Sequence, residues 1–305
     1  MFDLVTVGHF AIDFISSPKI ATPKPTLGGP ATYTSIAAAK LGAKVSVISK
    51  VGEDFQNSHL EWLKTNGVDL SKLKQVNGAK TTKFTLTYKN GKRKLQLKTL
   101  APHISPFDIP DSLQTKAVHI APIANEIQNM VLTKLRKGTE ILSLDPQGFI
   151  RFFDKKGNTH LRPWKTNKAL AQIDIYKSSS REIRILTRLR ELSSAMREIR
   201  SYGAKIIMVT RGMKGTILLA DDSFYHIPAC KPKVFQDPTG AGDAFIGAFL
   251  AEYVQGKELL WCACVGSAAS SFAVEGIGPA VIGEKREVYA RAERIYKKGL
   301  KQLSI

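Results

Sequence analysis

The stretch that decides the fold of this chain is Val234-Phe-Gln-Asp-Pro-Thr-Gly-Ala-Gly-Asp-Ala-Phe-Ile-Gly-Ala-Phe249. Small residues at 240–242 stand directly before an apolar run with helical character, and glycines let the backbone turn tightly there. The first amides of a helix have no partner inside it, so they form an anion site together with the helix dipole. In the first turn, Asp243 could accept a proton from a hydroxyl that attacks a phosphoryl group held by those amides.

A simpler interpretation of the same stretch is purely structural. Thr239 and Asp243 would cap the helix, and the glycines would only permit the turn. The Gly-x-x-x-x-Gly-Lys-Ser/Thr pattern of a P-loop does not occur in the sequence. The stretch alone therefore leaves both interpretations open.

Short β-type runs alternate with helical patterns along almost the whole sequence. Strands are predicted at 4–7, 44–49, 117–120, 140–144, 173–176 and 205–209, and helices at 31–41, 56–66, 123–136, 181–202, 241–255 and 259–274. This alternation predicts βαβ units and an α/β fold with a mostly parallel sheet covered on both sides by helices. With 305 residues and no evident linker, we expect a single domain over residues 1–305.

One region breaks the alternation. Residues 81–88 and 92–98 form two alternating patterns joined by Asn90-Gly91, a strong hairpin signal. Such a hairpin can serve as a lid over a site, or it can be a sheet edge protected by its lysines. Because the adjoining segment 14–27 is short, a lid is expected to consist largely of the 81–98 hairpin.

The chain is strongly basic, with 45 Lys and Arg against 26 Asp and Glu and a formal charge of +19. Such charge strengthens nucleic-acid binding through counterion release. Here, however, the basic residues are spread along the chain, and within 181–200 they alternate with apolar residues as on a solvated helix face. We interpret the charge as a basic surface that helps to attract an anionic ligand, and nucleic-acid binding is not expected.

Other composition features exclude several protein classes. Three cysteines and six histidines lack the spacing of a disulfide framework or a zinc site. No apolar run is long enough to span a bilayer, and the start MFDLVTVGHF is typical of a first strand rather than a signal peptide. We therefore expect a cytoplasmic protein without membrane association.

The stretch 234–249 closely resembles the C-terminal signature of the ribokinase (pfkB) family of carbohydrate and nucleoside kinases. Further matching motifs are Gly8 with Asp13 in the first-strand region, Leu27-Gly-Gly-Pro-Ala-Thr-Tyr33 and Val51-Gly-Glu-Asp-Phe55 in the N-terminal signature, and Thr210-Arg-Gly-Met-Lys-Gly215 in the nucleotide-contacting Thr-x-Gly-x-x-Gly motif. The resemblance covers nearly the entire chain. It implies a ribokinase-like three-layer α/β/α fold with a small β lid.

The resemblance also implies a reaction, namely ATP-dependent phosphorylation of a hydroxyl on a small polyol or sugar, with Mg²⁺ as cofactor. Asp243 matches the catalytic base, and Gly240, Ala241 and Gly242 match the anion hole. The acceptor positions are Asp13, Gly28, Gly29, Tyr33, Gln147 and Arg151, and the nucleotide positions are Lys177, Thr210, Gly212, Gly215, Ser267 and Gly278. An ionised Asp13 can accept hydrogen bonds from vicinal hydroxyls, although it could equally cap the loop after the first strand.

Two motifs imply ion sites. Lys177-Ser-Ser-Ser-Arg-Glu182 is similar to the family's Asn-x-x-Glu motif, with Ser179 in place of Asn. Glu182 could hold Mg²⁺ through its water shell, and the same residues could form a capping box. Asp237 and Thr239 match a monovalent-cation (K⁺) site, with local turn formation as the alternative.

Two departures from the family pattern bear on the acceptor. Tyr33 replaces the usual Asn, and Asp145-Pro-Gln-Gly-Phe-Ile-Arg151 replaces the usual Asp-x-Asn-x-Arg. Both are similar to the myo-inositol kinase branch, so myo-inositol is the best single prediction, with a nucleoside or another sugar as the alternative. Asn125 and Glu126 are further candidate polar groups of the pocket, unless they only begin a helix. A non-catalytic nucleic-acid-binding or ligand-sensing protein on a kinase scaffold is the alternative from a different class. We expect a monomer or homodimer.

Overall fold

The computed structural model describes residues 1–16, 22–89, 92–164, 167–298 and 300–303. In these ranges the strands are β1 (Phe2–Val7), β2 (Ala11–Ser16), β3 (Pro25–Gly28), β4 (Val45–Gly52), β5 (Val68–Asp69), β6 (Leu73–Val76), β7 (Thr82–Lys89), β8 (Lys92–Thr99), β9 (Thr115–Ile120), β10 (Ile141–Leu144), β11 (Arg151–Phe153), β12 (Thr159–Leu161), β13 (Ile175–Ser179), β14 (Ile206–Thr210), β15 (Thr216–Ala220), β16 (Ser223–Ile227) and β17 (Lys301–Leu303). The helices are α1 (Pro30–Lys40), α2 (Asn57–Thr65), α3 (Asn129–Lys137), α4 (Asn167–Leu170), α5 (Ser180–Thr187), α6 (Leu192–Ser201), α7 (Ala241–Tyr253), α8 (Leu259–Ala273) and α9 (Lys285–Tyr296).

The large sheet has the strand order β17-β16-β15-β14-β13-β10-β9-β1-β4-β5, and β6 also pairs with β4. All pairs from β4 through β1, β9, β10 and β13 to β14 are parallel, whereas β15, β16 and β17 add antiparallel strands at one edge. The mostly parallel sheet predicted from the sequence is therefore confirmed. The carboxyl ends of its parallel strands lie at one edge, where open α/β sheets bind their ligands.

Helices cover both faces of this sheet. Leu4 belongs to the core formed with α1, α7 and α8, whereas its neighbour Val5 belongs to the core formed with α3, α5 and α6. Side chains that follow one another along a strand point to opposite faces, so every central strand contributes to both cores. This is the expected three-layer α/β/α arrangement.

Close packing of α1 against α7 positions the start of α7. A Cβ on Gly247 would lie 2.2 Å from the carbonyl oxygen of Thr34, so only glycine allows this approach of the two backbones. Phe245 and Phe249 are fully buried behind it, and burial of each such side chain contributes roughly 1.5–3 kcal/mol. The first turn of α7 is thus held against α1 by a dense apolar contact.

A small four-stranded sheet with the order β3-β2-β7-β8 lies beside the large one. β2 pairs with β7 in parallel, whereas β3 with β2 and β8 with β7 are antiparallel. The predicted 81–98 hairpin therefore supplies two of four strands, and Ala11–Ser16 and Pro25–Gly28 supply the others. The predicted turn Asn90-Gly91 and residues 17–21 of the adjoining segment lie outside the described residues.

Two predicted helices differ from the structure. The helix predicted at 123–136 begins only at Asn129, because Asn125 is left-handed (φ 59°) and the backbone of the next residues bonds to Ile104 instead of continuing a helix. The helix predicted at 181–202 is two helices, α5 and α6, with Arg188 in the left-handed conformation between them (φ 61°). Among the described helices, none combines the length and the apolar character needed to cross a bilayer.

Candidate active site

The start of α7 contains the predicted glycine turn. Gly240 is left-handed (φ 77°), and a Cβ there would lie 2.3 Å from the ring of Tyr33. A Cβ on Gly242 would lie 2.5 Å from the Lys177 Nζ. Gly240 is therefore required by close approach as well as by backbone conformation, whereas Gly242 brings the start of the helix close to a cation.

Two cavities lie on either side of this helix start. The first, which we call the acceptor cavity, is bounded by the small sheet and has a volume of about 60 Å³. Its lining residues are Asp13, Gly29, Pro30, Tyr33, Phe84, Leu86, Arg93, Leu95, Ile123, Gln147, Arg151, Thr239, Gly240 and Asp243. All the predicted acceptor residues except Gly28 are brought together here.

Asp13 is a buried carboxylate without a fixed partner. It is 4% exposed, and within the described residues its side chain makes no hydrogen bond or ion pair. A Cβ on Gly28 would lie 2.1 Å from the Asp13 Oδ2, so Gly28 provides the space for this carboxylate from behind the cavity. Burial, followed by repulsion from Asp237, raises the pKa of Asp13 to about 7. A perturbed, unpaired carboxylate in a cavity is typical of a binding site.

Asp243 is the second carboxylate of the acceptor cavity. Its Oδ1 accepts a hydrogen bond from the Gln147 Nε2 at 3.0 Å, and the Gln147 Oε1 accepts one from the Arg151 Nη2 at 2.7 Å. Burial raises the pKa of Asp243 to about 6, against the opposing effect of the nearby Lys177 charge. Such a pKa suits a group that exchanges protons near neutral pH.

A buried ion pair underlies the helix start. The Lys177 Nζ donates to the Asp145 Oδ2 at 2.6 Å, and both side chains are almost completely buried. Burial lowers the pKa of Lys177, but the charges of Asp145, Asp243 and Glu182 outweigh it and raise this pKa. The site therefore holds a permanent positive charge next to Gly242.

The second cavity, which we call the donor cavity, has a volume of about 320 Å³ on the other side of the helix start. Its lining residues are Thr210, Gly212, Met213, Gly215, Thr216, Ala229, Cys230, Pro232, Phe235, Pro238, Ala241, Gly242, Phe245, Ser267, Ser270, Ser271 and Val274. Of the predicted nucleotide positions, Thr210, Gly212, Gly215 and Ser267 line this cavity. Lys177 instead lies beneath the helix start.

Two predicted nucleotide positions have local roles in the structure. The Ser267 hydroxyl donates to the Pro228 carbonyl at 2.8 Å and accepts from the Cys230 amide at 3.1 Å, so it ties two elements of the cavity wall together. Gly278 is not among the lining residues of the donor cavity. It faces Thr26, whose Cγ2 would lie 2.6 Å from a Cβ at this position.

The predicted capping box is present. The Ser179 Oγ accepts from the Glu182 amide at 3.3 Å, and the Glu182 Oε2 accepts from the Ser179 amide at 2.8 Å. One carboxylate oxygen of Glu182 remains for a water shell around an ion. The described parts of the chain contain no group of three or more His, Cys, Asp or Glu side chains that could hold a metal by themselves.

Asp237 and Thr239 form the predicted turn and also contact the small sheet. The Asp237 Oδ1 accepts from the Thr239 hydroxyl at 2.8 Å and from the Tyr88 hydroxyl at 2.7 Å. The Asp237 Oδ2 is buried, and no described residue hydrogen-bonds to it. Tyr88 belongs to β7, so it links the small sheet to the loop before α7.

Several contacts were not anticipated from the sequence. Arg93 lines the acceptor cavity, and strand alternation could have placed it on the same face as Leu95. Conversely, the predicted pocket residues Asn125 and Glu126 line neither cavity and do not begin a helix: Asn125 is exposed, and Glu126 is buried and accepts from three backbone amides, including that of His9. Met213 and Phe235 in the donor cavity carried no recognisable signal.

Residues 1–285 match the model of the pfkB family of carbohydrate kinases. The chain belongs to this family. The resemblance inferred from the sequence is therefore confirmed, and so is the enzyme class: the protein is a phosphotransferase with an alcohol group as acceptor. It is a sugar or nucleoside kinase with the ribokinase-like fold.

Similar proteins include nucleoside kinases and an inositol kinase. A cytidine kinase of Thermococcus kodakarensis is 31% identical over 87% of this chain and 94% of its own length. A nucleoside kinase of Methanocaldococcus jannaschii is 30% identical over 91% of this chain and 92% of its own. The structure of a pyrophosphate-dependent kinase of the ribokinase family, complexed with a pyrophosphate analog and myo-inositol, is similar with a TM-score of 0.81 and 26% identity, covering 94% of this chain and 99% of that one.

Proposed function

We propose that this kinase transfers the terminal phosphoryl group of ATP to a hydroxyl of an acceptor that carries vicinal hydroxyls. The observation that carries the proposal is the position of the α7 start between two cavities. Asp243 reaches the acceptor cavity, and Gly242 lines the donor cavity. An acceptor hydroxyl on one side and a phosphoryl group on the other would meet at the same backbone amides.

In the proposed reaction, Asp13 accepts hydrogen bonds from two vicinal hydroxyls of the acceptor and thereby orients a third hydroxyl, which reacts. Asp243 accepts the proton of that hydroxyl while the hydroxyl oxygen bonds to the terminal phosphorus of ATP and the bond between this phosphorus and ADP breaks. Amides of residues 240–242 and the Lys177 ammonium stabilise negative charge on the phosphoryl oxygens. We further propose that Thr210, Gly212 and Gly215 contact the nucleotide.

The donor cavity supports ATP. Its volume of about 320 Å³ and its apolar residues Met213, Phe235 and Val274 suit a purine base, whereas a pyrophosphate donor would leave this wall unused. Mg²⁺ fits the site, since Glu182 keeps one carboxylate oxygen outside its capping bond and the ion retains much of its water shell. When bound, Mg²⁺ would neutralise charge on the phosphates. The buried, unpartnered Asp237 Oδ2 likewise suits a K⁺ ion.

The acceptor is proposed to be a nucleoside. Ribose provides the vicinal diol for Asp13, and the apolar wall of Phe84, Leu86 and Leu95 suits a base, which would enter as the small sheet moves outward. The relatives that act on cytidine and other nucleosides support this choice. myo-Inositol is the second candidate, because it also offers vicinal hydroxyls to Asp13 and a structural neighbour is complexed with that compound.

The test is ADP release from ATP with purified protein and a panel of cytidine, uridine, adenosine, ribose and myo-inositol, repeated with pyrophosphate as donor. We expect turnover with ATP and a nucleoside. Asp243→Asn is expected to lower kcat at least a hundredfold, in the range of general-base catalysis. The matched control is Asp222→Asn at an exposed position far from both cavities, which should retain full activity. Wild-type-like turnover of Asp243→Asn would disprove the proposed base.

A further inference from the structure

Three polar groups form a continuous chain that ends on the proposed base. The Arg151 guanidinium donates one hydrogen bond to the Ile123 carbonyl at 3.0 Å and another to the Gln147 Oε1 at 2.7 Å. The Gln147 Nε2 then donates to the Asp243 Oδ1 at 3.0 Å. Resemblance to the family assigned Gln147 and Arg151 only to the acceptor, whereas these contacts are directed at Asp243.

The direction of every bond in this chain is determined by chemistry. A guanidinium can only donate and an ionised carboxylate can only accept, so the group between Arg151 and Asp243 must do both. The amide of Gln147 meets this requirement in one orientation alone, with its oxygen towards Arg151. An ionised Glu in its place would accept from Arg151 but would repel Asp243.

The chain rests on a fixed backbone. Gln147 lies in a short 3₁₀ turn, Pro146–Gly148, where its backbone amide donates to the Asp145 Oδ1 at 3.0 Å. A Cβ on Gly148 would lie 2.4 Å from the carbonyl carbon of Pro122, so the turn is packed directly against the loop after β9. The Gln147 side chain therefore extends from a backbone held at both sides.

We propose that Gln147 and Arg151 are positioning residues for phosphoryl transfer: Gln147 fixes the rotation of the Asp243 carboxylate, and Arg151 fixes the Gln147 amide. This inference rests on the proposed role of Asp243 as the base. With Oδ1 held by Gln147, and with no described residue hydrogen-bonding to Oδ2, the second oxygen is left for the acceptor hydroxyl. Correct orientation of a base contributes strongly to the rate of proton transfer.

Gln147→Met tests the proposal, because it preserves the length of the side chain and removes the amide. We expect kcat to fall roughly 10- to 100-fold while the acceptor KM changes by less than about threefold. The acid limb of the pH–rate profile should move upward by about one unit, since the amide stabilises the ionised carboxylate. Gln147→Glu should be more impaired than Gln147→Met, and Arg151→Lys, which keeps a donor, should retain more activity than Arg151→Met.

The control is Gln172→Met, which lies outside both cavities and should match the wild type in kcat and in the pH–rate profile. Unfolding temperature and ADP affinity are compared for all variants, so that a folding defect is separated from a defect in catalysis. If Gln147 served only the acceptor, its loss would raise KM and leave the acid limb in place. That result would overturn the proposal.

A measurement without turnover separates this inference from the proposed function. The pH titration of the Asp243 ¹³Cγ resonance, assigned with Asp243→Asn, gives the pKa of this carboxyl in the wild type and in Gln147→Met. We expect the higher pKa in Gln147→Met, and equal values would refute the positioning role. A wild type that titrates as expected but releases no ADP with any acceptor would refute the proposed function alone.

Discussion

Asp13→Asn should stabilise the folded chain increasingly as the pH rises. The folded state raises the pKa of this carboxyl from 3.8 to about 7, so between these values the folded chain retains a proton that the unfolded chain has released. The free energy of unfolding of the wild type therefore has its full value below the unfolded pKa and decreases as the pH rises towards the folded pKa. The amide carries no charge and avoids this loss.

The size of the effect follows from the titration window. Between pH 5 and the folded pKa of about 7 the wild type loses stability over roughly two pH units, which corresponds to about 2–3 kcal/mol at about 1.4 kcal/mol per unit. The advantage of Asp13→Asn over the wild type should thus grow by this amount between pH 5 and pH 8. The same variant should lose most of its acceptor affinity, because stability and binding require opposite properties here.

Urea denaturation of both proteins at pH 5, 6, 7 and 8 measures the difference. The control is Asp108→Asn, since ion pairs with Lys50 and Lys74 hold the pKa of Asp108 low, at about 2, despite its partial burial. Its effect on stability should be constant from pH 5 to pH 8. If the difference between wild type and Asp13→Asn were equally constant, the account of Asp13 as an uncompensated buried charge would be refuted.

Three further changes test the lid, the helix start and the base. Tyr88→Phe removes the hydroxyl that hydrogen-bonds to the loop before α7. A hydrogen bond to a charged group contributes about 1.5 kcal/mol, so we expect a roughly tenfold rise in acceptor KM. The control Tyr202→Phe removes a hydrogen bond to a glutamate far from the site and should leave KM unchanged. Gly240→Ala should abolish activity and lower stability by about 2–3 kcal/mol through a clash and a left-handed φ, whereas Gly256→Ala, with nothing within 4 Å of its Cβ, should cost about 1 kcal/mol in chemical denaturation. With the pKa of Asp243 at about 6, kcat/KM should fall as the pH drops from 7 to 5, and a flat profile would exclude this residue as the base.

The sequence predicted those parts of the molecule in which a local rule determines the conformation. Gly240 before an apolar run implied the helix start, and serines three residues before Glu182 implied the capping box; both are present. The pattern at 81–98 likewise implied paired strands. In each case the signal and the structure involve the same few residues, so no tertiary information was needed.

The failures occurred where a left-handed residue or a contact with a distant segment overrides local preference. Residues 123–128 have helical composition, but Asn125 is left-handed, and the backbone of Glu126 and Gln128 bonds to the distant Ile104 instead of forming a helix. Arg188 interrupts an otherwise continuous helical pattern with a left-handed residue. The link from Gln147 to Asp243 joins residues 96 positions apart, and no spacing within either motif could reveal it. The acceptor also could not be predicted from the sequence, because Arg93 and the apolar wall of the acceptor cavity come from a hairpin whose position over the site was not predictable.

The two cavities share a wall but are built from different parts of the chain. The small sheet carries Phe84, Leu86 and Leu95 of the acceptor cavity, and none of its residues lines the donor cavity. A mutant library confined to these three positions would consequently search for new acceptors without disturbing nucleotide affinity. In directed evolution, acceptor range and donor use of this scaffold should behave as separately selectable traits.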